Sequence, residues 1–91
     1  MVSEGRFQCP CCDYFTLTRQ GGYEVCPVCY WEDDGTGLAA LDAVSTSNHT
    51  TLRTARLNFE RIGATDDSAV PLVAPPEERD GLRREQRATY H

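Results

Sequence analysis

Apolar residues in this chain fall in short clusters whose period changes along its length. Phe7 stands in Arg6-Phe7-Gln8, a short strand running into the first cysteines, after a frayed start over residues 1–5. Tyr14-Phe15-Thr16-Leu17 is rich in β-formers, Arg19-Gln20-Gly21-Gly22 reads as a turn, and Tyr23-Glu24-Val25 as the return strand. A polar loop punctuated by glycine follows, from Glu32 to Gly37. Leu38, Leu41 and Val44, with alanines between, suit one or two helical turns, and Ser45 to Thr51 offers several N-caps. The strongest periodicity predicts a helix over Leu52–Ile62. Leu52, Ala55, Phe59 and Ile62 make one stripe, and Arg53, Arg56, Glu60 and Arg61 lie largely off it. Gly63 closes that helix as a C-cap, and Arg61 places a cation where the helix dipole favours one. Val70-Pro71-Leu72-Val73-Ala74-Pro75-Pro76 reads as extended, packing as an edge segment. Residues 77–91 mix both charge signs without an apolar face, which predicts a charged, mobile tail.

The chemistry lies between these elements. Cys9-Pro10-Cys11-Cys12 and Cys26-Pro27-Val28-Cys29 set up C-x2-C-x13-C-x2-C, a spacing that points to a tetrahedral metal site, most often zinc. Two thiolates separated by two residues can bind one ion from a tight turn, and the proline in each pair pre-sets φ for it. The spacer is long enough for a hairpin that brings the second pair to the first, the layout of zinc ribbons and rubredoxin-like domains. The expected ligands are Cys9, Cys12, Cys26 and Cys29, holding one Zn2+ per chain, with iron as the runner-up because the same sulfurs would hold it. A four-thiolate site leaves no open position for water, so it is structural by default. Cys11 is the odd cysteine, since its use in place of Cys12 would give a poorer bite. It reads as a small residue on the turn, or as a thiol whose oxidation with Cys9 would eject the metal.

Cys9-Pro10-Cys11-Cys12, the run Tyr23-Glu24-Val25-Cys26-Pro27-Val28-Cys29-Tyr30-Trp31-Glu32-Asp33-Asp34-Gly35 and the later Leu52-Arg53-Thr54-Ala55-Arg56-Leu57-Asn58-Phe59 resemble the bacterial cysteine-rich CPCC domain family. The resemblance covers roughly residues 6 to 76. It implies the metal and the fold and supplies no reaction. Two positions depart from the family pattern. Asp13 stands where members often have Gly, which bears on how the turn presents its amides to the first pair's sulfurs. Thr54 stands where members often have Glu, which removes a capping carboxylate from the helix.

Size sharpens the metal reading. A chain of 91 residues, 40% hydrophobic and 9% aromatic, is globular in composition but small enough to need a staple. A structural metal contributes on the order of 10 kcal/mol to folding in comparable domains. Formal charge is −5, with nine arginines, no lysine and fourteen acids. Residues 1–76 hold the whole imbalance, with five arginines against ten acids. Four thiolates around Zn2+ would carry the charge to about −7. So acidic a body is a poor match for phosphate backbones and argues against nucleic acid. Without an apolar run near eighteen residues or an N-terminal signal, the expected location is cytoplasmic, with no membrane partner. In a reducing compartment the paired cysteines are better metal ligands than disulfides.

Glu32, Asp33 and Asp34 make a second cluster, read first as a solvated acidic loop that caps amides and anchors Arg53 or Arg56. The alternative gives Asp33, Asp34 and His49 a second, hydrolytic metal site. Tyr30 and Trp31 are expected in the core against the helix, shielding the sulfurs. The fold expected is a small α+β metal-stabilised domain, a zinc-ribbon/rubredoxin-like β-hairpin with one main helix and an extended Pro-rich segment, over residues 6–76. The function expected is structural zinc binding in a monomer or weak dimer that binds another protein through its acidic loop and arginine-bearing helix face. A metal-dependent hydrolase and an iron electron carrier stand as alternatives.

Overall fold

Each cysteine pair sits at the tip of its own hairpin in the structure, a computed structural model that describes residues 5–87. The short strand β1 (Phe7–Gln8) pairs antiparallel with β2 (Phe15–Leu17), Phe7 opposite Leu17 and Gln8 opposite Phe15, with a bulge between them. The second pair is closed by Val25 bridging Glu32, with the Tyr23 amide donating to the Asp33 carbonyl at 2.8 Å and the Asp33 amide to Glu24 at 2.9 Å. The hairpin expected between Tyr14–Leu17 and Tyr23–Val25 therefore does not form. The backbone groups on both sides are already used, Phe15–Leu17 with Phe7–Gln8 and Arg83, and Tyr23 and Glu24 with Asp33. The Glu24 carboxylate joins them instead, accepting from the Thr18 amide and hydroxyl, each at 2.8 Å.

Leu38–Ala40 winds one turn of 3-10 helix. The expected N-cap run then folds as a hairpin, β3 (Val44–Ser45) against β4 (Thr50–Thr51). It turns at His49, which takes a left-handed φ of 59°. Helix α1 spans Leu52–Ile62, the range its periodicity predicts. Thr51 caps it by accepting from the Thr54 amide at 3.2 Å, and Gly63 ends it at φ 76° with its amide on the Phe59 carbonyl. Its stripe buries Leu52, Ala55 and Phe59 against Leu17, Val28 and Trp31 and the cysteines, in one continuous core. Arg56, expected off this face, is buried on it, because it follows Leu52 by four residues and lies one turn above it.

Two later segments also differ from expectation. The chain is not extended at residue 70: a 3-10 helix runs Asp67–Leu72, capped by Asp66, whose carboxylate accepts from the Ala69 amide and the Ser68 hydroxyl. Only Val73 to Pro75 is extended, and the Ala74 amide ties it to the Pro27 carbonyl at 2.9 Å. Beyond the single turn α2 (Pro76–Arg79), residues placed by sequence in a mobile tail lie back on the first hairpin. Leu82 packs against the core, the Phe15 amide donates to the Arg83 carbonyl, and Arg84 bridges Tyr14. The driving contacts are guanidiniums over rings, Arg83 on Phe15 at 4.5 Å and Arg84 on Tyr14 at 5.3 Å, which an apolar-stripe criterion does not register. The last four residues of that tail and the first four of the chain lie outside the described residues. Among the described residues no helix is long and apolar enough to cross a membrane.

Candidate metal centre

The two cysteine turns are built alike. In the first, the Cys9 amide donates to the Tyr14 carbonyl and the Asp13 amide to the Cys9 carbonyl; in the second, the Cys26 amide donates to Trp31 and the Tyr30 amide to Cys26, all at 2.8–3.0 Å. Both turns close on a residue in left-handed backbone, Asp13 at φ 70° and Tyr30 at φ 74°. Glycine takes that conformation freely, and other residues pay on the order of 1 kcal/mol or more for it. Asp is among the side chains that tolerate it; Tyr is not.

Facing each other, the turns gather Cys9, Cys12, Cys26 and Cys29, all completely buried, with their Sγ atoms within 4.8 Å of one another. Cys9 and Cys29 are 3.6 Å apart and Cys12 and Cys26 are 3.7 Å apart, and none forms a disulfide. A tetrahedron with metal–sulfur bonds of about 2.3 Å has sulfur–sulfur edges of about 3.8 Å. The donor set therefore fits a tetrahedral ion, and these four cysteines could hold one. Zinc and iron tetrathiolates are too alike in size for the spacing to choose between them.

Burial pushes the Cys9, Cys12 and Cys29 thiols well up, while hydrogen bonds from Cys12, Cys29 and Cys9 hold Cys26 far below the usual thiol range. A cation held by these four sulfurs would have to displace their protons, which makes its binding pH-dependent. Polar hydrogens aim at the sulfurs from outside. The Thr16 hydroxyl lies 3.0 Å from Cys26, and the Trp31 amide donates to Cys29 at 3.4 Å. Cys11 is buried but outside the four-sulfur cluster; after burial itself, its hydrogen bond is the largest influence raising the Cys29 thiol.

The first turn is further enclosed by arginines. Arg56 donates to the Pro10 carbonyl at 2.5 Å, Arg84 to Cys12 at 2.9 Å and Arg87 to Cys9 at 3.0 Å. Arg56 and Arg87 also converge on Asp13. Its carboxylate accepts from Arg56 at 2.9 and 3.1 Å and from the Arg87 amide and Nε at 2.8 Å each. Burial alone would raise the Asp13 pKa, but the Arg56 and Arg87 hydrogen bonds outweigh it and hold the carboxyl below its usual range. With a divalent ion on four thiolates, guanidiniums on these carbonyls would offset the excess negative charge. Periodicity did not single out this set. The available signal was Asp13 itself, an acid directly after the first cysteine pair.

The other candidates separate. Asp33 is buried, accepting from the Gly21 amide at 2.7 Å; Asp34 takes the Ser45 hydroxyl at 2.6 Å and the Thr36 amide at 3.0 Å; His49 is exposed on the β3–β4 turn. Among the described residues, the four cysteines are the one group of three or more such side chains placed to share an ion. The acidic loop is thus a folded loop whose Asp33 and Asp34 carboxylates are used on the Gly21 and Thr36 amides and the Ser45 hydroxyl, and the Asp33/Asp34/His49 hydrolytic site is not assembled. Arg53 pairs with Asp42 at 2.7 Å. Trp31 is fully buried, as expected, with its indole N–H unpaired among the described residues, but Tyr30 is 42% exposed rather than in the core. The left-handed backbone after Cys29 turns the Tyr30 side chain outward.

No curated protein and no solved structure gives a match to the chain. A family model does, over residues 7–80, spanning both cysteine turns, helix α1 and the segment that packs on the second turn. With that match, and with the CPCC turn forming half of the four-sulfur cluster, the chain belongs to the cysteine-rich CPCC family.

Proposed function

We propose that the chain is a structural zinc domain that works as a protein-interaction module. The observation that carries this reading is the four-sulfur cluster, fully buried, with edges of 3.6 and 3.7 Å. A closed tetrathiolate has no coordination position for substrate, so its role is to hold the two turns together. Zinc suits it because a d10 ion accepts the tetrahedron without redox chemistry, and a reducing cytoplasm would keep the thiols available. Interaction is supported by large apolar side chains left exposed on so small a body, among them Tyr23, Tyr30 and Leu72 at 62, 42 and 58%. The acidic balance of the chain argues for a protein partner over nucleic acid.

Metal content per chain, measured on protein purified without added metal, tests the first half. One zinc, lost in Cys12→Ser and kept in Cys11→Ser, is the expected result. Iron with a visible thiolate absorption band would replace zinc and make electron transfer the function to pursue. A folded, metal-free protein would overturn the reading.

A further inference from the structure

The second cysteine turn carries a groove with an apolar wall. Two cavities, of about 200 and 540 Å³, share the wall made by Val25, Tyr30 and Leu72 and so form one continuous depression. Its floor beyond that wall is Pro27 with the extended segment from Val73 to Pro75. Val25, Tyr30 and Leu72 are 40, 42 and 58% exposed. The carboxylate-bearing residues Glu32, Asp66 and Glu78 line it, and no arginine does, although the chain has nine. Arg79, beside the groove, is taken up by the Ala74, Val28 and Gly63 carbonyls.

Tyr30 gives this groove more weight than exposure alone. It occupies the turn-closing position in left-handed backbone, where glycine would be free of strain. Its side chain makes no hydrogen bond or ring contact with any described residue. The equivalent residue of the first turn, Asp13, offsets its conformation with four hydrogen bonds; Tyr30 has no such return from the fold. Strain of this kind, held at an exposed aromatic between two cavities, is what a binding anchor leaves in a free protein.

We infer that this groove binds a linear segment of a partner protein that carries apolar side chains beside arginine or lysine, with Tyr30 as the anchor. Apolar residues of the segment cover Val25, Tyr30 and Leu72, and its cations meet Glu32, Asp66 and Glu78. The occupant is not a second copy, since two bodies of charge −5 would bring like-charged walls together. The inference rests on the interaction reading above and names its surface and partner chemistry.

The test is selection of peptides from a random dodecapeptide display library by the full-length, metal-loaded chain, followed by titration of the recovered peptides as labelled synthetic probes. Recovered peptides are expected to pair apolar residues with Arg or Lys. Their affinity should fall at least about tenfold in Tyr30→Gly and in Leu72→Ser, and severalfold in Asp66→Asn. Tyr30→Gly keeps the backbone hydrogen bond of the turn, so its melting temperature should equal or exceed that of the wild type while binding is lost. A loss of both would make Tyr30 a fold residue and overturn the inference. Peptides that bind all three variants as well as wild type would place the interaction on another surface, leaving the module reading intact. No enrichment at all would remove both. Concentration-dependent dimerisation in sedimentation, abolished by Leu72→Ser, would give the groove to a second copy and overturn the partner assigned here.

Discussion

Replacing Asp13 with glycine sets two effects of known sign against each other. Glycine relieves a left-handed φ of 70°, a gain on the order of 1 kcal/mol. It also removes the buried carboxylate facing Arg56, whose side chain is 4% exposed and also donates to the Pro10 and Arg87 carbonyls. Taking one partner from a buried ion pair costs about 3–5 kcal/mol. The Arg87 arm adds little, because that side chain is 33% exposed and water screens it. The pairing wins, and Asp13→Gly should destabilise the metal-loaded protein by roughly 2–4 kcal/mol. For a domain of this size that lowers the melting temperature by roughly 10–25 °C. Circular dichroism melts at one fixed free-metal concentration read the effect without the concentration dependence that metal binding introduces. Asp13→Gly with Arg56→Met removes both partners and should recover most of the loss. If Asp13→Gly melts at or above the wild-type temperature, the buried pair does not stabilise this turn and the balance drawn here is wrong.

Acid titration offers a second check. The Asp13 carboxyl is held below its usual range when folded, so its contribution is complete above the unfolded value, about 3.9, and disappears as pH falls further through the folded one. The stability difference between wild type and Asp13→Asn should therefore stay flat from pH 8 to about 4.5; a difference that shrinks across that range would assign the effect to another group. Thr16→Val removes the hydroxyl 3.0 Å from Cys26 and should weaken metal affinity about tenfold in chelator competition, with no change in metal stoichiometry. Gly63→Ala places a side chain at φ 76°, and should cost about 1 kcal/mol in denaturant unfolding; an unchanged midpoint would mean that the end of α1 relaxes into another cap.

Local signals carried far in this chain, and long-range pairing did not. The cysteine spacing and the Leu52–Ile62 stripe with Gly63 behind it were legible because each is complete within about twenty residues. The tail was read as mobile because its residues make no apolar face. Its attachment runs instead through arginines to rings and carbonyls more than sixty residues earlier, contacts that leave no period in sequence. Arg56 was placed off the apolar stripe by its charge, and its burial follows from an acid forty-three residues away. The acidic loop shows the same limit: three adjacent acids look alike in sequence, yet Asp33 is taken up by the Gly21 amide and Asp34 by Thr36 and Ser45, while Glu32 lines the groove.

The arginine enclosure of the first turn has a consequence for the order of events during synthesis. All four thiols of the cluster have been made by residue 29, whereas Arg84 and Arg87, which cover the Cys12 and Cys9 carbonyls, are added more than fifty residues later. At about 5–20 residues per second, the ribosome takes roughly 3–12 s to cover that distance. For that interval the nascent chain carries a complete set of sulfurs without the guanidiniums that later seal one side of it. A metal ion would therefore have a window in which to enter before the lid of the site has been translated.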